Sequence, residues 1–227
     1  MPRIDLYRNV HMGQRARLFA LAVEVGAGDS ADAAAGKRAA ERCLAMTGEL
    51  REHAEHEDTF IHPLLRERDP AAADALDAEH LRLDAALAAL DDRARAFPAA
   101  SPDARPEAQH ALYLALNELI SAYLAHLHAE ETVAMPALWR HCGDDELAAV
   151  LGAFRASRTA QEGLTDLHRM LPALPPAVRA SVARATVASV PGSEAGRSLD
   201  ALSGTLAPEQ RARLYADLGV PEAWALR

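Results

Sequence analysis

The chain has 227 residues, of which half are hydrophobic, 4% are aromatic and 25% are charged. The formal net charge of −9 argues against nucleic acid as a partner, because no basic surface is available to neutralise phosphates. No apolar stretch has the length of a membrane span or a signal peptide, and Cys43 and Cys142 stand alone, so we expect a cytoplasmic protein without disulfides.

Helix-forming residues, alanine above all, dominate the chain, and the alternating patterns typical of strands are nearly absent. Turn-forming segments divide the first two thirds into four predicted helices, namely A (about 3–25), B (37–68), C (71–96) and D (107–140). Short connections make neighbouring helices antiparallel. The sequence therefore predicts an all-α protein built on a four-helix bundle within residues 1–143.

The last third, residues 144–227, contains further amphipathic segments broken at proline-containing turns. It carries little clustered histidine or carboxylate chemistry. We therefore expect a C-terminal helical extension that packs on the bundle.

A repeated motif, H-x3-E-[DE]-T-x3-P, occupies residues 53–63 in helix B and 126–136 in helix D. Residues four apart in a helix share a face, so His53 pairs with Glu57 and His126 pairs with Glu130. Two such pairs suggest a dinuclear metal site in which both glutamates bridge the metals.

The proline that ends each copy, Pro63 or Pro136, falls inside its predicted helix. Each removes a hydrogen bond to the carbonyl four residues earlier, on Thr59 or Thr132. We expect a matching kink in the two helices.

One further histidine precedes each copy of the motif, His11 on helix A and His80 on helix C, which gives the order H, HxxxE, H, HxxxE. The bundle would then direct four imidazoles and two carboxylates into its core. Buried carboxylates are costly without compensating cations. The mixed imidazole and carboxylate ligands suit iron or manganese, and the absence of thiolate ligands argues against an iron–sulfur cluster or a cysteine-rich zinc site.

These residues resemble the hemerythrin-like family, also called the HHE cation-binding domain, over about residues 6–140. The resemblance implies an up-and-down four-helix bundle. It also implies that His11 and His53 hold one iron and that His80 and His126 hold the other. Glu57 and Glu130 would bridge the two ions.

The chain departs from oxygen carriers of this family, which have a fifth histidine one turn from the first on helix C. Leu76 lies four residues before His80 and Asp84 lies four residues after it. The resemblance therefore favours binding of O2, peroxide or nitric oxide at open iron positions, with enzymatic turnover undecided. The alternative is a regulatory protein whose C-terminal helices transmit the metal state.

Other polar residues lie near the motifs. Tyr7 and Tyr123 each lie one turn before a ligand histidine and could act as ligands, proton donors or packing residues. Asp58 and Glu131 follow the bridging glutamates and should point away from the metals. Further possible neighbours of the site are His56 and Asp84. Helical angle predicts that His62 and His128 are solvated, and we expect surface positions for His110, His141 and His168.

Overall fold

The computed structural model describes residues 3–220, which form helices and contain no strand. Residues 1–2 of the predicted bundle and 221–227 of the predicted extension lie outside the described residues. The all-α prediction is confirmed, as is the bundle with additional C-terminal helices.

The bundle helices follow the predicted order. Two of them are interrupted by π-helical turns. Their bounds are α1 Arg8–Ala27, α2 Ala33–His56, the first π-turn Glu57–Ile61, α3 His62–Arg68, α4 Pro70–Ala96, α5 Arg105–Ala129, the second π-turn Glu130–Ala134 and α6 Met135–His141. A short 3-10 turn, Phe97–Ala99, follows α4.

Capping residues fix the starts of two of these helices. Asp32 accepts hydrogen bonds from the backbone N–H groups of Ala34 and Ala35 at the start of α2. Asp69 accepts one from Ala72 at the start of α4, whose first residue is Pro70. Such side chains satisfy backbone donors that have no partner within the helix, and proline is tolerated at the first helical position.

The first compact unit comprises residues 3–7 and Arg15–Phe154. Its interior holds two groups of buried apolar side chains. The larger apolar cluster includes Leu18, Leu21, Met46, Leu50, Leu83, Leu87, Leu90, Leu116, Tyr123 and Leu127. The smaller apolar cluster includes Tyr7, Ile61, Leu65, Leu76, Ala134, Met135, Leu138 and Leu147.

The second compact unit comprises Arg8–Gln14 and the residues from Arg155 onward. Its helices are α8 Ala160–Met170, α9 Pro176–Ala188, α10 Ala195–Ser203 and α11 Pro208–Leu218. They bury a core of their own around Leu171, Leu202, Leu214 and Tyr215. The buried Arg179 guanidinium donates hydrogen bonds to the carbonyls of Leu171, Pro172 and Leu174, which compensates for its desolvation.

The remaining helix, α7 (Asp144–Ser157), belongs to the first unit as far as Phe154. It buries Leu147 completely in the smaller apolar cluster. The predicted domain boundary after residue 143 and the packing of the extension on the bundle stay predictions. Among the described residues, no helix combines the length and apolar character needed to cross a membrane.

Candidate metal centre

Each copy of the repeated motif lies where its helix passes from one apolar cluster to the other. On α5, Tyr123 belongs to the larger cluster, and Ala134 of the following π-turn belongs to the smaller one. His126 and Glu130 lie between them. Along α4 the order is reversed, because His80 follows Leu76 of the smaller cluster. The motif side chains therefore form a polar layer within the core.

Both π-turns begin at the motif glutamate and end two residues before the motif proline. The N–H of the residue after each turn donates to the carbonyl of that glutamate, five residues back. Pro63 and Pro136 then lie in the first turn of the next helical segment, where proline is tolerated. The two helices are thus irregular where we predicted a kink, and the irregularity takes the form of a π-turn.

Four buried side chains, Glu57, His80, His126 and Glu130, each offer a ligand atom, and these atoms all lie within 4.8 Å of one another. The Nε2 atoms of His80 and His126 are 3.1 Å apart. Nε2 of His126 lies 3.3 Å from Oε1 of Glu130, its partner in the motif. Two imidazoles and two carboxylates from the first π-turn, α4, α5 and the second π-turn therefore converge.

Glu57 contacts two histidines at once. Its Oε1 lies 2.9 Å from Nε2 of His53, one turn earlier, and its Oε2 lies 3.7 Å from Nε2 of His80 on α4. The two oxygens of this carboxylate therefore face histidines of two different helices.

The outer nitrogens of the two facing imidazoles are also held. Nδ1 of His80 donates to Oδ1 of Asp58 over 3.1 Å, and Nδ1 of His126 donates to Oε2 of Glu79 over 2.9 Å. These bonds fix the ring orientations and direct both Nε2 atoms toward the glutamates. Carboxylates in this position commonly orient metal-binding histidines.

The charges of the site change the pKa values of the histidines. Burial alone would lower the pKa of His80, but the hydrogen bond and charge of Glu57, with Asp58 and Glu130, raise it to about 9. At His126, burial would likewise lower the pKa, but Glu130 and Glu79 raise it. Without a metal, these protons partly neutralise the buried carboxylates.

Tyr7 and Tyr123 are both buried next to the polar layer. Burial, followed by the charges of Glu130 and Glu57, raises the pKa of Tyr7 well above its ordinary value. The Tyr123 ring lies 6.1 Å from the His126 ring, centroid to centroid. The Tyr7 phenol is therefore protonated near neutral pH, and both rings lie close to the carboxylates or imidazoles of the site.

His11 lies in the first turns of α1 and its side chain is completely buried. Tyr7, just before α1, belongs to the smaller apolar cluster, and Leu18 within α1 belongs to the larger one. Seven residues separate His11 from Leu18, so both project from the same face of α1. Its role as a ligand stays a prediction.

The prediction that His62 is solvated is wrong, because its side chain is only 3% exposed. Its ring stacks on that of His80, with centroids 5.2 Å apart. The helical angle from His53 to His62 assumed an uninterrupted α-helix, whereas the π-turn between them inserts an extra residue and rotates the residues that follow.

Of the other histidines predicted at the surface, His128 precedes the second π-turn and the rest lie outside the motifs. His110, His128 and His141 are exposed, as predicted. His168 is half-buried, and its Nε2 donates to the carbonyl of Ala201 over 2.7 Å. Glu131 also points away from the centre, since it pairs with Arg15 at 2.6 Å.

Asp84 lines a pocket beside the motif residues, and His56 packs against an aromatic ring. Asp84 is exposed and lines a small pocket together with Tyr123, Leu50, Leu83 and Leu87, beside the buried group. His56 is half-buried and meets the Phe154 ring edge to face, with centroids 5.1 Å apart. Glu79 was missed by the sequence reasoning, because its bond to His126 joins α4 to α5 and leaves no local signal.

The buried group has the chemistry of a cation site. The side chains of Glu57 and Glu130 are 2% and 0% exposed, and burial of two carboxylates is costly unless cations compensate. The Nε2 atoms of His80 and His126 are 3.1 Å apart, close enough for both to bind the same ion. The residues therefore fit a metal held by imidazoles and carboxylates.

Comparison with known proteins agrees with this chemistry. The family model described as hemerythrin HHE cation-binding domain matches residues 3–138, which is more than half of the chain. No curated protein and no solved structure matches the chain. The match covers α1 to α6 up to Leu138, including both copies of the motif. The chain therefore belongs to the hemerythrin HHE cation-binding domain family.

Proposed function

We propose that this protein binds two non-haem iron ions and that O2, peroxide or nitric oxide binds at their open positions, in the response to or sensing of oxidative or nitrosative stress. One observation carries the proposal, namely the convergence of Glu57, His80, His126 and Glu130 within 4.8 Å in the bundle core. A cytoplasmic location is also proposed, since both cysteines are free and buried.

In this proposal His11 and His53 hold one iron, His80 and His126 hold the other, and both motif glutamates bridge. The contacts of Glu57 with both His53 and His80 support its bridging role. The duplicated motif supports the same role for Glu130. Leu76 supports open positions, because it is an apolar residue in the smaller cluster at the place of a possible fifth imidazole.

The bound ions would supply Lewis acidity and electrons. Residues of the chain would orient the imidazoles, limit the access of water and donate a hydrogen bond to the bound ligand. Asp58 and Glu79 hold the imidazoles in position. Leu83 and Leu87, with Leu50, line the pocket beside the site and limit the access of water. A pocket this small suits a ligand of two to four atoms. The Tyr123 phenol, also in its lining, could donate a hydrogen bond to such a ligand.

Metal analysis combined with absorption spectroscopy tests the proposal. We expect two irons per chain and charge-transfer bands that shift when azide or peroxide is added. Glu130→Ala should lose metal, whereas the matched control His128→Ala, an exposed residue two positions earlier, should not. One zinc and a featureless spectrum would rule out the di-iron centre.

A second candidate is a regulatory protein in which metal state changes the C-terminal helices. The Phe154 ring favours it, because this residue of α7 contacts both His56 and Phe60 beside the first motif, with ring centroids 5.1 and 5.9 Å apart. Hydrogen exchange of residues 155–220 should then increase when metal is removed, and Phe154→Ala should abolish that dependence. Equal exchange with and without metal would eliminate this candidate.

A further inference from the structure

A second group of metal-capable side chains lies on the outer side of His80. Ligand atoms of Asp58, His62 and His80 all lie within 4.8 Å of one another. Nδ1 of His62 is 2.9 Å from Oδ1 of Asp58 and 3.7 Å from Oδ1 of Asp77. These residues belong to the first π-turn, α3 and α4, all within the first unit.

The imidazole of His62 is buried and its hydrogen-bonding capacity is not used. Among the described residues, neither of its ring nitrogens has a hydrogen-bond partner. Nδ1 approaches Asp58 closely, but without the angle of a hydrogen bond, and the same Asp58 oxygen already accepts from His80. A buried nitrogen without a partner carries a desolvation cost that a bound ion would offset.

We propose that Asp58, His62 and Asp77 bind one divalent cation of the Mn²⁺, Fe²⁺ or Zn²⁺ class, at an outer site distinct from the buried centre. One imidazole and two carboxylates are ligands suited to these ions. His80 forms the inner wall of the outer site, and its Nδ1 bond to Asp58 makes this aspartate common to both sites.

A cation can reach the outer site directly from solvent. The side chains of Asp58 and Asp77 are 52% and 44% exposed, whereas His62 lies behind them at 3%. Arg66 pairs with Oδ2 of Asp77 and with Asp74. Oδ1 of Asp77, the atom nearer His62, belongs to neither of these pairs. Carboxylate oxygens of two residues, Asp58 and Asp77, therefore lie within 4 Å of one buried ring nitrogen of His62.

Cobalt titration of the full-length, metal-free protein tests the outer site, with bound Co²⁺ counted by elemental analysis after desalting. His62→Gln should bind one Co²⁺ fewer per chain than the wild type, and Asp77→Asn should give the same reduction. Asp74→Asn is the matched control, because Asp74 also pairs with Arg66 but has no contact with His62 among those described. Its Co²⁺ count should equal that of the wild type.

The result does not depend on the di-iron proposal. If the buried centre binds nothing, the wild type should bind one Co²⁺ and His62→Gln none. If circular dichroism shows that the His62→Gln protein is unfolded, the Co²⁺ count of the Asp77→Asn protein, which changes an exposed residue, tests the outer site instead. A wild-type Co²⁺ count in Asp77→Asn, or in a folded His62→Gln protein, would overturn the outer site.

Discussion

His80 and His126 face each other through Nε2 atoms 3.1 Å apart, although 46 residues separate them in the chain. Each ring is also fixed at its opposite nitrogen, His80 by Asp58 and His126 by Glu79. Both imidazoles are therefore held in place on two sides by protein groups. Such preorganisation lowers the entropic cost of binding a metal.

Removal of one orienting carboxylate should weaken metal binding without loss of the fold. We expect Glu79→Gln to reduce metal affinity about 10- to 100-fold, as is typical when the partner of a metal-bound histidine is changed. Competition with a chelator of known affinity measures the effect. Glu41→Gln is the control, because Glu41 is exposed on α2 and pairs only weakly with Lys37 at 3.8 Å. Equal affinities of the two variants would contradict the role given to Glu79.

Metal should also stabilise the bundle, because it neutralises carboxylates that are buried in the core. At free metal concentrations of 100 to 1,000 times Kd, the free energy of unfolding should rise by about 3–4 kcal/mol. Thermal denaturation with and without a chelator measures this change. Glu130→Ala should abolish the dependence on metal, since it removes a completely buried ligand. An unchanged melting temperature in the chelated wild type would indicate a metal-free structural bundle.

The raised pKa of His80 predicts a specific pH dependence. Near pH 7.5 the metal-free protein holds a proton on His80, whose pKa is about 9, and a metal must displace it. Metal affinity should therefore increase as pH rises toward 9. Calorimetry in buffers of different ionisation enthalpy should detect proton release, which His80→Ala should reduce.

The stability of the metal-free protein should have the opposite pH dependence. A pKa raised in the folded state contributes stability that is full below about pH 6.5 and is lost as pH rises through about 9. Denaturation of the chelated protein between pH 6 and 10 should show this loss, and His80→Ala should show less of it. A flat profile in the wild type would contradict the protonated imidazole.

The sequence could predict the parts of the site that depend on local helical geometry. His53 and Glu57, like His126 and Glu130, share a face because they are four residues apart, and the structure brings each pair together. The π-turn could not be predicted in this way, and the predicted position of His62 was wrong because the π-turn rotates the residues that follow it. The contact of Glu79 with His126 could not be predicted either, because the two residues lie on different helices.

The apolar core can be tested separately from the metal centre. Leu90 is completely buried in the larger apolar cluster, away from the motif residues in the sequence. Leu90→Ala should lower the free energy of unfolding by about 2–5 kcal/mol, because it removes buried methyl groups and leaves a cavity. Metal stoichiometry of the folded variant should stay unchanged. Loss of metal from the variant at temperatures below its unfolding transition would show that the larger apolar cluster and the metal centre are coupled.

Asp84 should influence which ligands enter the pocket beside the centre. Its exposed carboxylate repels anions, and a unit charge a few ångströms from a bound anion contributes on the order of 1 kcal/mol in water. Asp84→Asn should therefore bind azide roughly fivefold more tightly, with little change for neutral nitric oxide. Spectroscopic titration with both ligands measures the difference. An equal change for azide and nitric oxide would exclude this electrostatic effect.

The polar layer between the two apolar clusters also has a consequence for folding specificity. If α5 slid by one turn along its neighbours, Leu127 or Ala134 would face the carboxylate of Glu57, and Glu130 would enter an apolar cluster. Both changes are energetically costly, because they bury charge without a partner. The side chains of the candidate metal centre thus also set the axial alignment of the helices, much as a single buried asparagine sets the register of a coiled coil.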